Sequence, residues 1–513
     1  LCKRYINHAL AQAPAAPPSQ EAPLQTGHTQ NEQKIFIHLI VVICLDRPQA
    51  TTMATSDTPE EAALEIYQNL EAEGVSVCRP KEGKPTALPE RWRYDRARKV
   101  MNSAVNRRPG LIVFPKSLRE LQSTLKEAYR FNAPISARCG GHGGQSSAVA
   151  DGGVCIDLRR LKSLTVTPQT AVVGAGLCSG ALDQALRRSG RVALTGDCAR
   201  VGVAAMALGG GHSLLQAKFG VGCDRIRRAV LVTPEGRVIR ATDRENQLVL
   251  WALRGAGAGN FGVVAEIEVE HFQPPAKVSG GTILFRPKSF DQCIDDYFEI
   301  CSDDTNRSTA YLGIYKRENE DQRTAFLVSL SDRDRDDRRN PLNVMKEKAL
   351  AWKGRHRDGD YYKIKETFAA QERSRPTVSR CFTMALTKPG AEAIAALVNT
   401  TGCPDYYVLL EPCGKPSASS ENGAYSLRTP GVVIQIIVPL SKKTDKTCAD
   451  EWLERAASLL RPLTTDRVFV SYANVHSPSG NANFASACFG DALPALQNLK
   501  RALDPHRLIP GVL

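Results

Sequence analysis

The stretch SARCGGHGGQSS at 136–147 sets one histidine between two pairs of glycines, in backbone almost bare of side chains. Such a run cannot continue a helix or a strand cheaply, because glycine loses more conformational freedom on folding than any other residue. It does permit close approach. Several backbone N–H groups can turn toward one anion, a pyrophosphate for example, with Arg138 adding charge at the rim. The bland reading is a turn whose histidine caps a backbone carbonyl. The sharper one is that Gly140, Gly141, His142, Gly143, Gly144 and Ser146 cradle a cofactor. If that cofactor is a flavin, a ring nitrogen of His142 can attack its electrophilic methyl carbon and fix it covalently.

The flanks read as alternating strands and helices. GLIVFP at 110–115 is a short strand closed by proline. SLRELQSTLKEAYRFN follows as a helix, with Ser117 and Glu120 spaced as a capping box and Leu118, Leu121 and Leu125 on one face. PISARCG leads as a strand into the glycine loop. VCIDL at 154–158, TAVVGAG at 170–176, a helix at 179–190 and the hairpin RRAVLVTPEGRVIRAT with its Pro-Glu-Gly turn carry the pattern on. Pro274 and Pro275 break it. GGTILFRP then opens a strand-rich region, VVIQIIVPL at 432–440 is a buried strand candidate, and DEWLERAASLL at 450–460 is an amphipathic helix.

Two stretches mimic a nicotinamide-dinucleotide fingerprint. Gly257, Gly259 and Gly262 satisfy GxGxxG, but a helix precedes them and a strand follows, the reverse of what a Rossmann site needs. Gly174, Gly176 and Gly180 do have strand before and helix after, with Asp197 at a suitable distance, yet the surrounding βαβ alternation fails.

Composition narrows the classes further. The 513 residues are 42% hydrophobic and 24% charged, ordinary for globular domains with real cores. The net charge of +13 is spread among acids, as in SDRDRDDRRN at 331–340, which suits a solvated surface and an anionic cofactor; neither a nucleic acid nor a membrane is expected as partner. Fifteen cysteines lie without CxxC or metal-ligand spacing, so no metal site and no dense disulfide framework is expected. The apolar IFIHLIVVICL at 35–45 is shorter than the roughly 20 residues a helical span needs. Residues 1–52 read as an extension outside the working fold, with a helix starting near Ser56 after Met53, and a cytoplasmic address follows.

In order along the chain, RRPGLIVFPKS, ISARCGGHGGQSS, CIDLRRL, VVGAG, GDCARVGVAAMALGGGHSLLQAKFG, LWALRGAGAGNFGVV, LEPCG and CFGDALPALQNLKRALDPHRLIP resemble the berberine bridge enzyme-like flavoproteins. These are the vanillyl-alcohol oxidase superfamily branch with a PCMH-type FAD domain. The resemblance runs from about residue 90 onward. It implies an α+β fold: a two-part FAD domain over 75–275, an inserted substrate domain on an antiparallel sheet over 276–464, and a returning segment over 465–513. It implies FAD bound covalently through His142 and, where the G-x-C-x-x-V-G pattern falls on Gly196, Cys198, Val201 and Gly202, a second bond from Cys198. Gly209, Gly210, Gly211, Gly262, Val264 and Asn474 complete the implied cofactor contacts. Cys139 replaces the family's usual serine and is given no role.

The implied reaction is oxidation of a small molecule, with hydride passing to flavin N5 and O2 reoxidising the flavin to give H2O2. A small-molecule oxidase of secondary metabolism is the leading expectation; a carbohydrate oxidase and a flavin-bound cyclase are the alternatives. RVFVSYANVH at 467–476 alternates, placing Tyr472, Asn474 and His476 on one strand face. Tyr472 is either the base, with its pKa drawn down from about 10 by positive charge, or a packed hydrogen-bond donor. Glu411 is expected to be structural. Ala492, and Leu427 before a retained Arg428, depart from the family's pattern on the substrate side. The oligomeric state is left open.

Overall fold

The computed structural model describes residues 58–80, 93–143, 148–303, 305, 307–320, 322–368, 375–400, 402–413, 423–472 and 484–513. The apolar stretch at 35–45, Ser56, Gly144, Ser146, Asn474 and His476 lie outside them. The first described helix, Pro59–Ala72, is capped by Thr58, whose hydroxyl accepts from the Glu61 N–H at 3.2 Å. Among the described residues no helix is long and apolar enough to cross a membrane.

Three sheets organise the chain. Strands β1 (Val77–Cys78), β2 (Leu111–Val113), β3 (Ile135–Arg138) and β4 (Val154–Asp157) lie in the order β1-β2-β4-β3, with β2 and β3 parallel to β4 and β1 antiparallel to β2. Their residues are buried almost without a break, as parallel strands covered on both faces must be. The helix Leu118–Arg130 covers one face through Leu121, Leu125 and Ala128. Its cap differs from the expected box by one residue. Ser117 Oγ accepts the Glu120 N–H at 3.2 Å, whereas the Glu120 carboxylate reaches back to the N–H of Lys116 at 2.9 Å.

The second sheet runs β5 (Leu164–Val166), β6 (Thr170–Gly174), β9 (Val263–Glu270), β7 (Ile226–Val232), β8 (Val238–Thr242), antiparallel throughout. That disposes of the dinucleotide reading of Gly174, Gly176 and Gly180. β6 does feed the helix Ser179–Arg188, but no parallel partner stands beside it.

The third sheet is antiparallel and seven-stranded: β13 (Ala349–Asp358), β10 (Ser279–Pro287), β12 (Thr324–Ser331), β11 (Ser308–Lys316), β15 (Tyr406–Pro412), β16 (Val432–Pro439), β14 (Thr377–Met384). Helices Phe290–Ser302, Lys388–Asn399 and Lys446–Leu460 supply Ile294, Ile394 and Trp452 to a core shared with Leu312, Leu410 and Ile434 on the strands. Side chains alternate across a strand, so Tyr311, Glu411 and Val433, the neighbours of those core residues, turn to the opposite face. That face carries the candidate site.

The C-terminal helix Leu493–Leu503 returns to the first two sheets. Buried Lys500 donates to the carbonyls of Asn260 at 2.6 Å and Ile509 at 2.8 Å and pairs with Asp504 at 2.8 Å. The Ile135 N–H donates to Leu508 O at 2.7 Å, where β3 begins. The alternation at 467–476 does not produce the expected strand over its described part. Val468 N–H binds Ala487 O at 2.9 Å and Tyr472 N–H binds Phe469 O at 3.0 Å, so 469–472 close a turn instead of entering a ladder.

Candidate active site

β3 ends at Arg138 and releases the chain into Cys139–Gly143. Arg138 is not at the rim. It is buried, donating to Ala97 O and standing 3.7 Å from Asp157, because the sheet alternation turns it inward. The glycines are bare for close packing: a Cβ on Gly140 would come within 1.9 Å of Arg200 O, and one on Gly202 within 2.7 Å of Cys139 Sγ. Gly141 takes a left-handed φ of +69°. Loop 139–143 is therefore pressed onto loop 195–202, which is tied by Gly196 N–H to Ser179 Oγ at 3.2 Å and Val201 N–H to Cys198 O at 3.1 Å. His142 and Cys198, both half-buried, stand on these two adjoining loops.

Other glycines of the implied cofactor set also make close packing contacts. Gly210 and Gly211 have positive φ, and a Cβ on Gly210 would strike the rings of Tyr425 at 2.6 Å and Phe469 at 2.8 Å. Gly209 O accepts from Ser471 Oγ at 3.2 Å. The triglycine bends the chain beneath aromatic rings. Gly262 meets Val232 O and Val264 is buried in β9, so both pack within the second sheet.

Polar side chains gather where these loops meet the free face of the third sheet. Tyr472 Oη donates to Glu411 Oε1 at 3.0 Å. His212 Nδ1 lies 3.6 Å from Glu411 Oε2, its Nε2 is 2.7 Å from Tyr425 Oη, and its ring stacks on Phe469 at 4.1 Å. Lys365 donates to Asp183 at 2.8 Å and to Thr195 Oγ1 at 2.6 Å. Burial, reinforced by Glu411 and Asp183 against Lys365, pushes the Asp197 carboxyl up to about 7. Tyr472 is displaced in the direction opposite to the sequence expectation. Burial first, then the Glu411 carboxylate, raise its hydroxyl well above the ordinary tyrosine value. Arg428 is held bidentate on Asp224 at 2.6 and 2.9 Å and donates to the Tyr425 carbonyl at 3.0 Å, which ties it to the far end of this chain of contacts.

Residues 109–242 match the model of the FAD binding domain family. The (R)-6-hydroxynicotine oxidase of Paenarthrobacter nicotinovorans is 36% identical over 196 residues, 38% of this chain and 43% of that protein, so the chain spans less than half the length of this curated relative. BBE-like 1 of Physcomitrella patens superposes with a TM-score of 0.75 at 20% identity, over 87% of this chain and 98% of that one. The glucooligosaccharide oxidase of Acremonium strictum, whose solved structure is described with a 6-S-cysteinyl, 8α-N1-histidyl FAD, gives 0.74 at 18% identity over 87% of this chain and 98% of that one. The chain carries an FAD binding domain over 109–242, and its fold is that of the berberine bridge enzyme-like structures. Its own residues fit FAD: two glycine-bared loops interlock, one carrying an imidazole and the other a thiol, the nucleophiles that a doubly attached flavin needs.

The sequence singled out His142, Cys198, Tyr472 and Glu411 but not the partners that surround the last two. His212 stands directly after the triglycine, a signal that was visible. Asp197 stood out only as a dinucleotide acid. Nothing local marks Tyr311 on β11 or Lys365 on the helix Tyr361–Lys365, both within electrostatic reach of Asp197.

Proposed function

We propose that the protein is an FAD-dependent oxidase of a small organic substrate of secondary metabolism, using O2 and releasing H2O2. The observation that carries this reading is the chain of contacts Tyr472–Glu411–His212, with Asp197, the neighbour of Cys198, within electrostatic reach of Glu411. His142 and Cys198 would hold the cofactor by two bonds, with Gly140, Gly141 and Gly202 allowing the loops to close on it. Bound there, FAD supplies a hydride acceptor that O2 can reoxidise.

The residues' own task is the proton. A tyrosine with so high a pKa is not ionised near neutrality, so Tyr472 cannot act as a standing phenolate. Its hydrogen bond supplies the alternative. As a substrate O–H or N–H proton moves to Tyr472 Oη, the phenolic proton moves to Glu411 Oε1, and no charged tyrosine forms. Glu411 thus becomes a working residue rather than a structural one.

The test is a visible spectrum of the purified chain followed by a peroxide-coupled screen of alcohols, amines and oligosaccharides. Steady peroxide release on a small alcohol or amine supports the reading. Release on oligosaccharides alone makes it a carbohydrate oxidase, and a yellow protein silent across the panel favours a flavin-bound cyclase.

A further inference from the structure

Cys139 opens the loop that carries His142, and its Sγ lies 3.9 Å from the Sγ of Cys178, close to contact. Three segments converge there. The chain at Cys178 is laddered to the loop of Cys198: Cys178 bridges Gly202, the Ser179 N–H donates to Val201 O at 2.8 Å and the Gly180 N–H to Ala199 O at 2.9 Å. Gly202 in turn is the residue against which Cys139 packs, at a distance that only a glycine allows. The two sulfurs differ in access. Cys139 is 5% exposed, and the Cys178 thiol beside it, then burial, hold its thiol protonated far above the ordinary range. Cys178 is half-buried and stands at the start of the helix Ser179–Arg188, the end whose partial positive charge favours a thiolate.

We infer that Cys139 and Cys178 are a peroxide-driven disulfide site, whose bond ties the His142 loop to the segment already laddered to the Cys198 loop. The more accessible partner reacts first. The Cys178 thiolate attacks one oxygen of hydrogen peroxide and becomes a sulfenic acid, while the other oxygen leaves as water. Cys139 sulfur then attacks the sulfenic sulfur, the departing hydroxide takes the Cys139 proton to give a second water, and the S–S bond forms. One peroxide is reduced by two electrons, and two thiols are oxidised. Cys139 therefore needs no access to the oxidant, only its neighbour, and the sulfurs close from 3.9 Å to the roughly 2.05 Å of a disulfide. The oxidase reading above would supply peroxide, but the site requires only that peroxide be present.

The test adds a small molar excess of hydrogen peroxide to the flavin-loaded full chain and caps remaining thiols with N-ethylmaleimide in denaturant. Digestion without reduction by trypsin and Asp-N, which cuts before Asp151, parts Cys139 from Cys155. Mass spectrometry is expected to find a peptide joining Cys139 to Cys178, lighter by two hydrogens than its two thiol peptides together and split by dithiothreitol. The oxidised protein should melt about 3 °C above the reduced one, because the bond restricts the unfolded chain. Cys139→Ser should abolish both effects and leave on Cys178 a sulfenic acid that dimedone traps. Cys178→Ser should leave Cys139 an untouched thiol. If either variant fails to fold, the map of the unmutated protein decides alone. Both thiols capped after peroxide, Cys178 driven on to a sulfinic acid beside an intact Cys139 thiol, or a bridge from either to another cysteine overturns the inference. So does a Cys139–Cys178 bridge that leaves the melting temperature unchanged, since it would then tie nothing.

Discussion

Three glycines of one loop make graded predictions from geometry alone. Alanine at Gly140 would put its Cβ 1.9 Å from the carbonyl oxygen of Arg200, more than 1 Å inside ordinary contact, with backbone on both sides. Neither side can swing away as a side chain would, so the loops must part, at about 3 kcal/mol or more, the upper end of overpacking costs. At Gly141 the nearest atom is the flexible end of Arg138, but φ is +69°, and a left-handed alanine costs roughly 1–2 kcal/mol. At Gly143 nothing lies within 4 Å and φ is not positive, so alanine should be within about 0.5 kcal/mol of neutral. Urea unfolding followed by tryptophan fluorescence gives the stabilities, and flavin retained after acid precipitation reports whether the loops still meet. Retention should fall most in Gly140→Ala and not at all in Gly143→Ala. A Gly140→Ala protein with unchanged stability and flavin, or equal damage at Gly143, refutes the account of interlocked loops.

A tryptic flavopeptide should join the His142 and Cys198 segments through one FAD, and Cys198→Ala should keep the histidyl attachment while changing the flavin spectrum; a peptide with His142 alone reduces Cys198 to packing. Tyr472→Phe and Glu411→Gln should each lower kcat by about 10²–10⁴ without loss of flavin, and unchanged turnover in either removes the relay. Arg428→Ala should cost roughly 3–5 kcal/mol in denaturant unfolding, because it strands the buried Asp224, and Asp224→Asn should restore part of that loss. Asp197 gives a pH signature. Unfolded, it releases its proton near 3.8, and folded it keeps the proton until about 7, so its contribution is full below pH 4 and is lost as pH rises through 7. Relative to Asp197→Asn, the unmutated protein should lose on the order of 2–4 kcal/mol between pH 4 and pH 8, and parallel stability curves for the two would contradict the burial argument.

What could be read from the sequence was what local backbone chemistry decides. Bare glycines around His142, the Ser117 cap, the Pro-Glu-Gly hairpin and the period-two strands of the third sheet each report through neighbours a few positions away. The C-terminal stretch failed because its alternation is real but unpaired: Val468 bonds Ala487, so the chain turns at Tyr472. Arg138 was misplaced because a strand's pattern does not say which face is inward. The electrostatic setting of Tyr472 was misjudged for a related reason. Its carboxylate comes from β15, its aromatic floor from the segment before it and its histidine from after the triglycine, and no spacing along the chain brings those together.

The bonds from Lys500 to Asn260 and from Ile135 to Leu508 also bear on the order of events during synthesis. The glycine loops around His142 and Cys198 leave the ribosome early, but the sheets that carry them are closed by residues translated hundreds of codons later. A nascent chain halted between the two could pair β3 with β4 but would lack the Leu508 carbonyl at the start of β3 and the Lys500 bond to Asn260. Covalent attachment, as proposed for His142 and Cys198, would then be a late step, and a yellow, acid-stable chain would be one whose C-terminal helix has already docked.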